Sequence, residues 1–104
     1  MIKIEVLRDG DRIVSISSKG HAGYAEKGED LVCAGVSTVL FGLMNALDEL
    51  SKQITLEKKK NSLYIRSDID DQAINAYLRC GYIQLKTIEE VYPEYIQIEE
   101  RSSK

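Results

Sequence analysis

The single histidine of the chain, His21, precedes Cys33 by twelve residues, and Cys33 stands near the predicted start of the most apolar helix. A thiol with an ordinary pKa of about 8.5 is largely protonated near neutral pH, so a nucleophilic cysteine needs a neighbouring base or a positive dipole. An imidazole that takes the thiol proton leaves a thiolate able to attack a peptide carbonyl, and the imidazolium can then protonate the departing amine. The pair therefore predicts a cysteine nucleophile with a histidine base.

The helix start supplies the second activating element. Asp30 is a favourable N-cap, which places Cys33 at the third helical position, where free backbone N–H groups and the helix dipole favour a thiolate. The same N–H groups, including that of Cys33, are predicted to stabilise an oxyanion. Asp30 has a second interpretation, in which it orients His21 like the third group of a triad. Ser37, one turn further on, would bond either the sulfur or histidine, or the carbonyl of Cys33.

Hydrophobic periodicity predicts a single α+β domain over residues 1–104, in the order β-β-α-β-β-α-β, with a predominantly antiparallel sheet and two helices. The strands are marked by alternating apolar residues, which are Ile2, Ile4 and Val6, then Val14 and Ile16, Ile54 and Leu56, Leu63 and Ile65, and Ile96 and Ile98. The helices follow Asp30 and the aspartates at 68, 70 and 71, and Pro93 ends the second. Gly35 and Gly42 share one helix face, where another backbone could approach closely.

Two segments are expected to be less ordered. Residues 20–30 contain three glycines and little periodicity, which predicts a mobile loop beside the active site. Residues 100–104 are predicted to form a disordered tail.

Composition limits the classes of protein. The chain has 104 residues, 43% of them apolar and 30% charged, as in a folded domain, and its net charge of −3 argues against direct nucleic-acid binding. The basic run Lys58-Lys59-Lys60 is interpreted as a solvated turn. The N-terminus lacks the pattern of a signal peptide, and polar residues interrupt the apolar stretch at 31–50, so a cytoplasmic protein without a membrane span is expected.

The residues also allow non-catalytic interpretations. A cysteine in an apolar helix is often a small buried hydrophobic residue, and Cys80, beside Gly81, is expected to serve packing. A zinc site built from His21, Cys33 and Cys80 lacks typical ligand spacing. Thiol redox chemistry would require Cys80 as the resolving cysteine. No metal or cofactor is therefore predicted.

The motif formed by Gly20-His21-Ala22, Gly28, Asp30, Cys33-Ala34 and Ser37 resembles the signature of the ribosomal-processing cysteine proteases of bacteria. The length and element order of the chain agree with that family. Gly35 stands where alanine is frequent.

The resemblance implies an endopeptidase that removes the N-terminal extension of a large-subunit ribosomal protein, with Cys33 as nucleophile and His21 as base. It further implies supporting roles for Asp30 and Ser37, and a homodimer. The substrate-binding loop would include Ala22, Gly23, Tyr24 and Gly28, and an apolar groove beside the thiol would use Tyr24, Phe41 or Met44. The competing hypothesis is a non-catalytic ribosome-associated or ribosome-assembly factor, which predicts a buried, unreactive Cys33.

Overall fold

A computed structural model describes residues 1–26 and 30–103. The elements follow the predicted order, and their bounds are β1 (Ile2–Asp9), β2 (Arg12–Lys19), α1 (Leu31–Leu50), β3 (Thr55–Lys59), β4 (Ser62–Arg66), α2 (Gln72–Val91) and β5 (Ile96–Ser102). Asp30 and Asp71 are the N-caps of the two helices, and α2 ends just before Pro93. The predicted α+β class is confirmed.

The five strands form one mixed sheet in the order β3-β4-β2-β1-β5. Three of the four strand pairs are antiparallel, and the edge strand β5 runs parallel to β1, with Ile2 opposite Ile96. The predominantly antiparallel sheet is thus confirmed. The β2–β4 pairing brings the β3–β4 turn beside the end of β2, where residue 20 begins the segment with the histidine.

The core lies between the sheet and the helices. The first five residues of β1 alternate, so Ile2, Ile4 and Val6 are buried while Lys3 and Glu5 are exposed. Six residues of α1 are buried in the same core, which are Val32, Val36, Leu40, Leu43, Met44 and Leu47. Among the described residues α1 is the one helix long and apolar enough to cross a membrane, and the buried helix of a globular core passes the same test.

The predicted disordered tail needs correction, because β5 continues through Ser102 and residues 100–102 belong to the sheet. Glu100 accepts hydrogen bonds from Tyr82 Oη at 2.7 Å and Arg8 Nε at 2.6 Å. The bond from Tyr82, followed by that from Arg8, holds the pKa of Glu100 below its usual value. Strand pairing with β1 and this ion pair arise from residues distant in sequence, so the local pattern did not reveal them.

The close backbone approach expected at Gly35 and Gly42 is not found at either residue. A Cβ at Gly42 would have open space, and one at Gly35 would make an ordinary contact 3.6 Å from Ile88. The close approach occurs instead at Gly81 of α2, where a Cβ would lie 2.7 Å from Leu43 Cδ2. The two helices meet where the absence of a side chain on α2 makes room for a leucine of α1.

Candidate active site

Asp30 fixes the first turn of α1. Its Oδ1 accepts the backbone N–H of Cys33 at 2.9 Å, which confirms the predicted N-cap. The N–H of Cys33 is thereby engaged in the cap, so the resting structure does not offer it to an oxyanion. The capping carboxylate therefore occupies one of the donors that were predicted to stabilise an oxyanion.

The second oxygen of Asp30 holds the loop that precedes the helix. Its Oδ2 accepts the backbone N–H groups of Tyr24 at 3.0 Å and Ala25 at 3.4 Å. Desolvation by burial is the largest single effect on this carboxyl and raises its pKa. The bonds from Cys33, Tyr24 and Ala25 together outweigh that effect and lower the pKa below its ordinary value. Among the described residues Asp30 makes no hydrogen bond with His21; its partners are the three backbone donors, and the Cys33 side chain also helps to lower its pKa.

Cys33 is half-buried, and its sulfur receives a backbone donor from the loop. The N–H of Ala22 lies 3.3 Å from Cys33 Sγ, and the Ala22 side chain is itself buried in the core. A fixed N–H directed at a sulfur stabilises negative charge that develops there. The thiol is therefore placed between the helix start and a donor from another segment, whereas the non-catalytic hypothesis predicts full burial.

His21 is exposed, and its backbone is held by its neighbours on both sides. Gly20 N–H donates to Asn61 O at 3.1 Å, and the Ala22 N–H contacts the Cys33 sulfur. Gly20 has a φ of 92°, and a Cβ there would lie 2.7 Å from Met1 O. Only glycine fits this position without a backbone shift. The histidine therefore leaves the end of β2 along a defined path.

His21 and Cys33 line one open cavity of about 260 Å³. The end of β2, the first turns of α1 and the β3–β4 turn form its walls, with Ser37 and Phe41 on the helix side. In the resting arrangement no hydrogen bond joins the imidazole to the sulfur, both of which are described. The imidazole is exposed, and His21 lines the same cavity as the thiol.

Ser37 lies in the cavity wall, half-buried, one turn from Cys33. Its hydroxyl makes none of the predicted hydrogen bonds within residues 1–26 and 30–103, neither to the sulfur and histidine nor to the carbonyl of Cys33. A free hydroxyl in the wall is available to a bound peptide. Its predicted supporting role stays a prediction.

The residues predicted to form the loop and the groove lie in different parts of the structure. Phe41 lines the cavity, but Met44 is buried in the core. Tyr24 packs edge-on against Tyr92 and Tyr95, with ring centroids 5.5 and 5.1 Å apart, and so contacts the α2–β5 junction instead of the cavity. The Ala22 side chain is buried, Gly23 is exposed, and Gly28 lies outside the described residues.

Cys80 differs from its predicted packing role, because it is exposed on α2 and lines a groove between the two helices. Both cysteines are free thiols. Within the described parts of the chain, no three histidine, cysteine or acidic side chains come close enough to hold a metal ion.

Three features of the site escaped the sequence argument: the strict need for Gly20, the tyrosine contacts of the loop, and the β3–β4 turn as a cavity wall. Each depends on a contact between distant segments. Gly20 alone also had a local signal, because it is part of the motif around the histidine.

Comparison with known proteins places the chain among peptidases. Residues 1–97 match the family described as Cysteine protease Prp. The ribosomal processing cysteine protease Prp of Staphylococcus aureus (strain Mu50) is 34% identical over 103 residues, covering 94% of this chain and 97% of that protein.

Two crystal structures of the essential ribosomal processing protease Prp from S. aureus have the same fold. One holds a covalently linked product peptide and aligns with a TM-score of 0.90, and one holds a substrate peptide and aligns with a TM-score of 0.85. Each is 31% identical and covers 97% of this chain and 100% of the other.

The fold, the thiol at the start of α1 and these similarities define a cysteine protease. The chain belongs to the Cysteine protease Prp family, as its match over residues 1–97 establishes.

Proposed function

We propose that the chain is a cytoplasmic endopeptidase that removes the N-terminal extension of a large-subunit ribosomal protein. The observation that carries the proposal is the shared cavity of His21 and Cys33, in a fold whose relative from S. aureus holds a covalently linked product peptide. The relatives are named ribosomal processing proteases, which supports a ribosomal protein as substrate. The cytoplasmic location follows the sequence expectation.

Cys33 is the proposed nucleophile and His21 the base. The imidazole takes the thiol proton, and the sulfur forms a bond to the scissile carbonyl carbon. As the C–N bond breaks, the imidazolium returns that proton to the departing amine and a thioester remains on Cys33. His21 then takes a proton from water, whose oxygen attacks the thioester and releases the new carboxylate, and the sulfur leaves and is reprotonated.

The Ala22 N–H assists this cycle, because it donates to the sulfur and stabilises the negative charge that develops there. Asp30 acts indirectly. Its carboxylate accepts hydrogen bonds from backbone N–H groups of the helix start and of the loop, and so holds the two together.

The test is incubation with an N-terminally extended large-subunit ribosomal protein, followed by mass spectrometry of the products. Wild type is expected to release the extension, and Cys33→Ala and His21→Ala are expected to lose cleavage by at least a thousandfold. Cys80→Ala is the matched control, because it removes the other free thiol, which lines a different groove. Cleavage that survives Cys33→Ala would overturn the assignment of the nucleophile, and an intact substrate with wild type would overturn the function.

A homodimer is part of the same proposal. A groove of about 380 Å³ runs between the exposed faces of α1 and α2, with Ala46, Tyr77 and Gly81 in its lining, and a second copy could cover it. Ala46→Arg is expected to shift the mass in solution from dimer to monomer, whereas Ala73→Arg, at an exposed position outside the groove, leaves it unchanged. Light scattering after size-exclusion chromatography distinguishes the outcomes, and a monomeric wild type would contradict the proposal.

A further inference from the structure

The sulfur of Cys33 is open to small molecules and shares its cavity with no second thiol. Cys33 is half-buried and lines the open cavity of about 260 Å³, which an oxidant as small as hydrogen peroxide can enter. The chain has two cysteines, and the other, Cys80, lies in the groove between the two helices. A cysteine oxidised to a sulfenic acid condenses with a neighbouring thiol where one is present. Cys33 has no such thiol in its cavity.

The group beside the sulfur is instead a backbone nitrogen. The N–H of Ala22 lies 3.3 Å from Cys33 Sγ, although the two residues are 11 positions apart in the chain. A backbone nitrogen next to a sulfenic acid can take the place of a thiol, because it condenses with the sulfur to form a sulfenamide. The nitrogen of Ala22 therefore stands where a resolving cysteine would stand.

Several contacts hold this nitrogen beside the sulfur. The Ala22 side chain is buried in the core, and the N–H groups of Tyr24 and Ala25 donate to Oδ2 of Asp30. The other oxygen of Asp30 accepts the N–H of Cys33, so the loop and the cysteine share one anchor. Two groups that the fold holds together react as if each were present at a high local concentration.

The nitrogen also has room to move from hydrogen-bond distance to bonding distance. Gly23, the next residue, has a φ of 72°, and a Cβ there would meet nothing within 4 Å. Within residues 1–26 and 30–103 the Ala22 N–H donates to the Cys33 sulfur alone. Bond formation between nitrogen and sulfur therefore sacrifices no other hydrogen bond of that N–H.

We propose that hydrogen peroxide converts Cys33 to a sulfenamide with the backbone nitrogen of Ala22. The inference rests on the proposed role of Cys33 as nucleophile and adds a covalent modification to the same sulfur. First, the Cys33 thiolate attacks one oxygen of the peroxide, the O–O bond breaks, hydroxide leaves, and a sulfenic acid remains. Then the S–N bond forms as the S–O bond breaks, and the hydroxyl group leaves with the amide proton as water.

Two thiol molecules reverse the modification. The first attacks the Cys33 sulfur and breaks the S–N bond, and the Ala22 nitrogen takes back a proton. The second attacks the resulting mixed disulfide, which releases the Cys33 thiol and an oxidised thiol pair. While the S–N bond exists, the sulfur cannot form a thioester with a substrate, so the protease is inactive. The bond also keeps the sulfur from reaching the sulfinic acid, which thiols do not reduce.

The test uses the full chain with the substitution Cys80→Ala, because a disulfide within the chain would change the mass as a sulfenamide does. After mild oxidation with hydrogen peroxide in the absence of thiols, the intact mass is expected to fall by two hydrogen atoms. A sulfenic acid would add one oxygen atom, and a sulfinic acid would add two. Dithiothreitol is then expected to restore the original mass and most of the cleavage activity.

Peptide mapping locates the new bond. Trypsin cleaves after Lys19, Lys27 and Lys52, so Ala22 and Cys33 fall in separate peptides. Tandem mass spectrometry of the oxidised protein, digested without thiols, is expected to find these two peptides joined. The same digest after dithiothreitol should contain them only as separate peptides.

Ala22→Pro, in the same Cys80→Ala background, tests the nitrogen directly. A proline nitrogen carries no hydrogen and cannot form the sulfenamide. We expect no joined peptides and a sulfinic fraction about tenfold larger than in the parent at the same peroxide concentration. Ala25→Pro is the matched control, because it places a proline in the same loop and keeps the N–H of Ala22, and it should still give joined peptides. Thermal unfolding checks that both variants fold, and if Ala22→Pro does not, the map of the parent decides.

The outcomes separate this proposal from the protease function. Sulfenic or sulfinic acid on Cys33 without joined peptides would overturn the sulfenamide, and so would a Cys33 that peroxide leaves unchanged. Joined peptides in a folded Ala22→Pro variant would overturn the assignment of the nitrogen. All these results are masses measured without a substrate. Failure of the unoxidised wild type to cleave the extended ribosomal protein would overturn the proposed function instead, whatever the masses show.

Discussion

The backbone N–H of Ala22 donates a hydrogen bond to the sulfur of Cys33 at 3.3 Å, and so joins the histidine-bearing segment directly to the start of α1. His21 lies between this contact and Gly20, which is held by Asn61 O and closely approached by Met1 O. Gly20, His21 and Ala22 therefore have three different roles. The glycine sets the backbone path, the alanine secures the loop to the sulfur, and the imidazole between them is exposed.

We expect Gly20→Ala to reduce cleavage by about a hundredfold and to lower the free energy of unfolding by about 1–3 kcal/mol. The φ of 92° disfavours alanine, and the new methyl group would meet Met1 O at 2.7 Å. A backbone shift must relieve that contact, and it moves His21 relative to Cys33. Steady-state kinetics and urea unfolding measure the two effects.

Gly10→Ala is the control for backbone strain alone. Gly10 also has a positive φ, 62°, but a Cβ there meets nothing within 4 Å and the residue lies in the β1–β2 turn. We expect a loss of about 1 kcal/mol in stability with unchanged kcat. Equal losses of kcat in the two variants would contradict the positioning role of Gly20.

Local patterns were sufficient for the elements and for the helix cap. Alternation marked the strands, and Asp30 and Asp71 marked the helix starts, because these signals reside in neighbouring residues. The motif also predicted that His21 and Cys33 belong to one site, as the hairpin and helix imply, and in the structure both residues line one cavity. These predictions required no knowledge of long-range contacts.

The features that sequence could not supply come from segments that meet only after folding. Residues 100–102 look like a polar tail, and the pairing of β5 with β1 makes them a strand. The sequence of the β3–β4 turn, with its three lysines, predicts a solvated turn. In the structure the pairing of β2 with β4 brings this turn beside Gly20. The sequence predicts that Tyr24 lines the groove, but in the structure its ring packs against Tyr92, directly after α2.

We expect Asp30→Asn to separate the two roles of the carboxylate. The amide oxygen of asparagine still caps the helix by accepting the Cys33 N–H. Its NH2 group cannot accept the N–H groups of Tyr24 and Ala25, so the loop loses its anchor. Cleavage should fall about ten- to a hundredfold, with faster amide exchange at residues 24 and 25 and helix α1 intact by circular dichroism.

Asp71→Asn is the matched control, because Asp71 caps α2 by accepting the Ile74 N–H at 3.0 Å and lies outside the cavity. It makes the same chemical change at the other helix start. We expect it to leave cleavage within about twofold of wild type. A similar loss of cleavage in both variants would indicate a general effect of weaker helix caps and would contradict the anchoring role of Asp30.

The lowered pKa of Asp30 predicts a specific dependence of stability on pH. A carboxyl with a folded-state pKa below its unfolded value stabilises the fold above the unfolded value of about 3.9, and this contribution is lost as pH falls through the folded pKa. Urea unfolding from pH 7 to about pH 2.5 should therefore show a gap between wild type and Asp30→Asn that is constant above about pH 5 and shrinks below about pH 4. A gap independent of pH would contradict the ionic contribution.

We expect Tyr24→Ala to loosen the loop without removing either reacting group. The ring makes edge contacts with Tyr92 and Tyr95, and each such pair contributes about 0.5–1.5 kcal/mol. Amide exchange at residues 22, 24 and 25 should accelerate about tenfold or more, because their N–H bonds to Cys33 and Asp30 depend on the loop position. Cleavage should fall mainly through KM, because a loop that starts less ordered must be ordered by the substrate.

Tyr77→Ala is the control for the loss of a tyrosine at similar exposure. Tyr77 is 39% exposed and Tyr24 is 40% exposed, but Tyr77 lies on α2 in the groove away from the candidate active site. Because Tyr77 lines the groove proposed as the dimer contact, light scattering first checks that the variant keeps the wild-type mass, and its substitution should then leave loop exchange and KM unchanged. If Tyr24→Ala leaves exchange at residues 22, 24 and 25 at the wild-type rate, the tyrosine cluster does not hold the loop, and the anchoring must come from the Asp30 carboxylate alone.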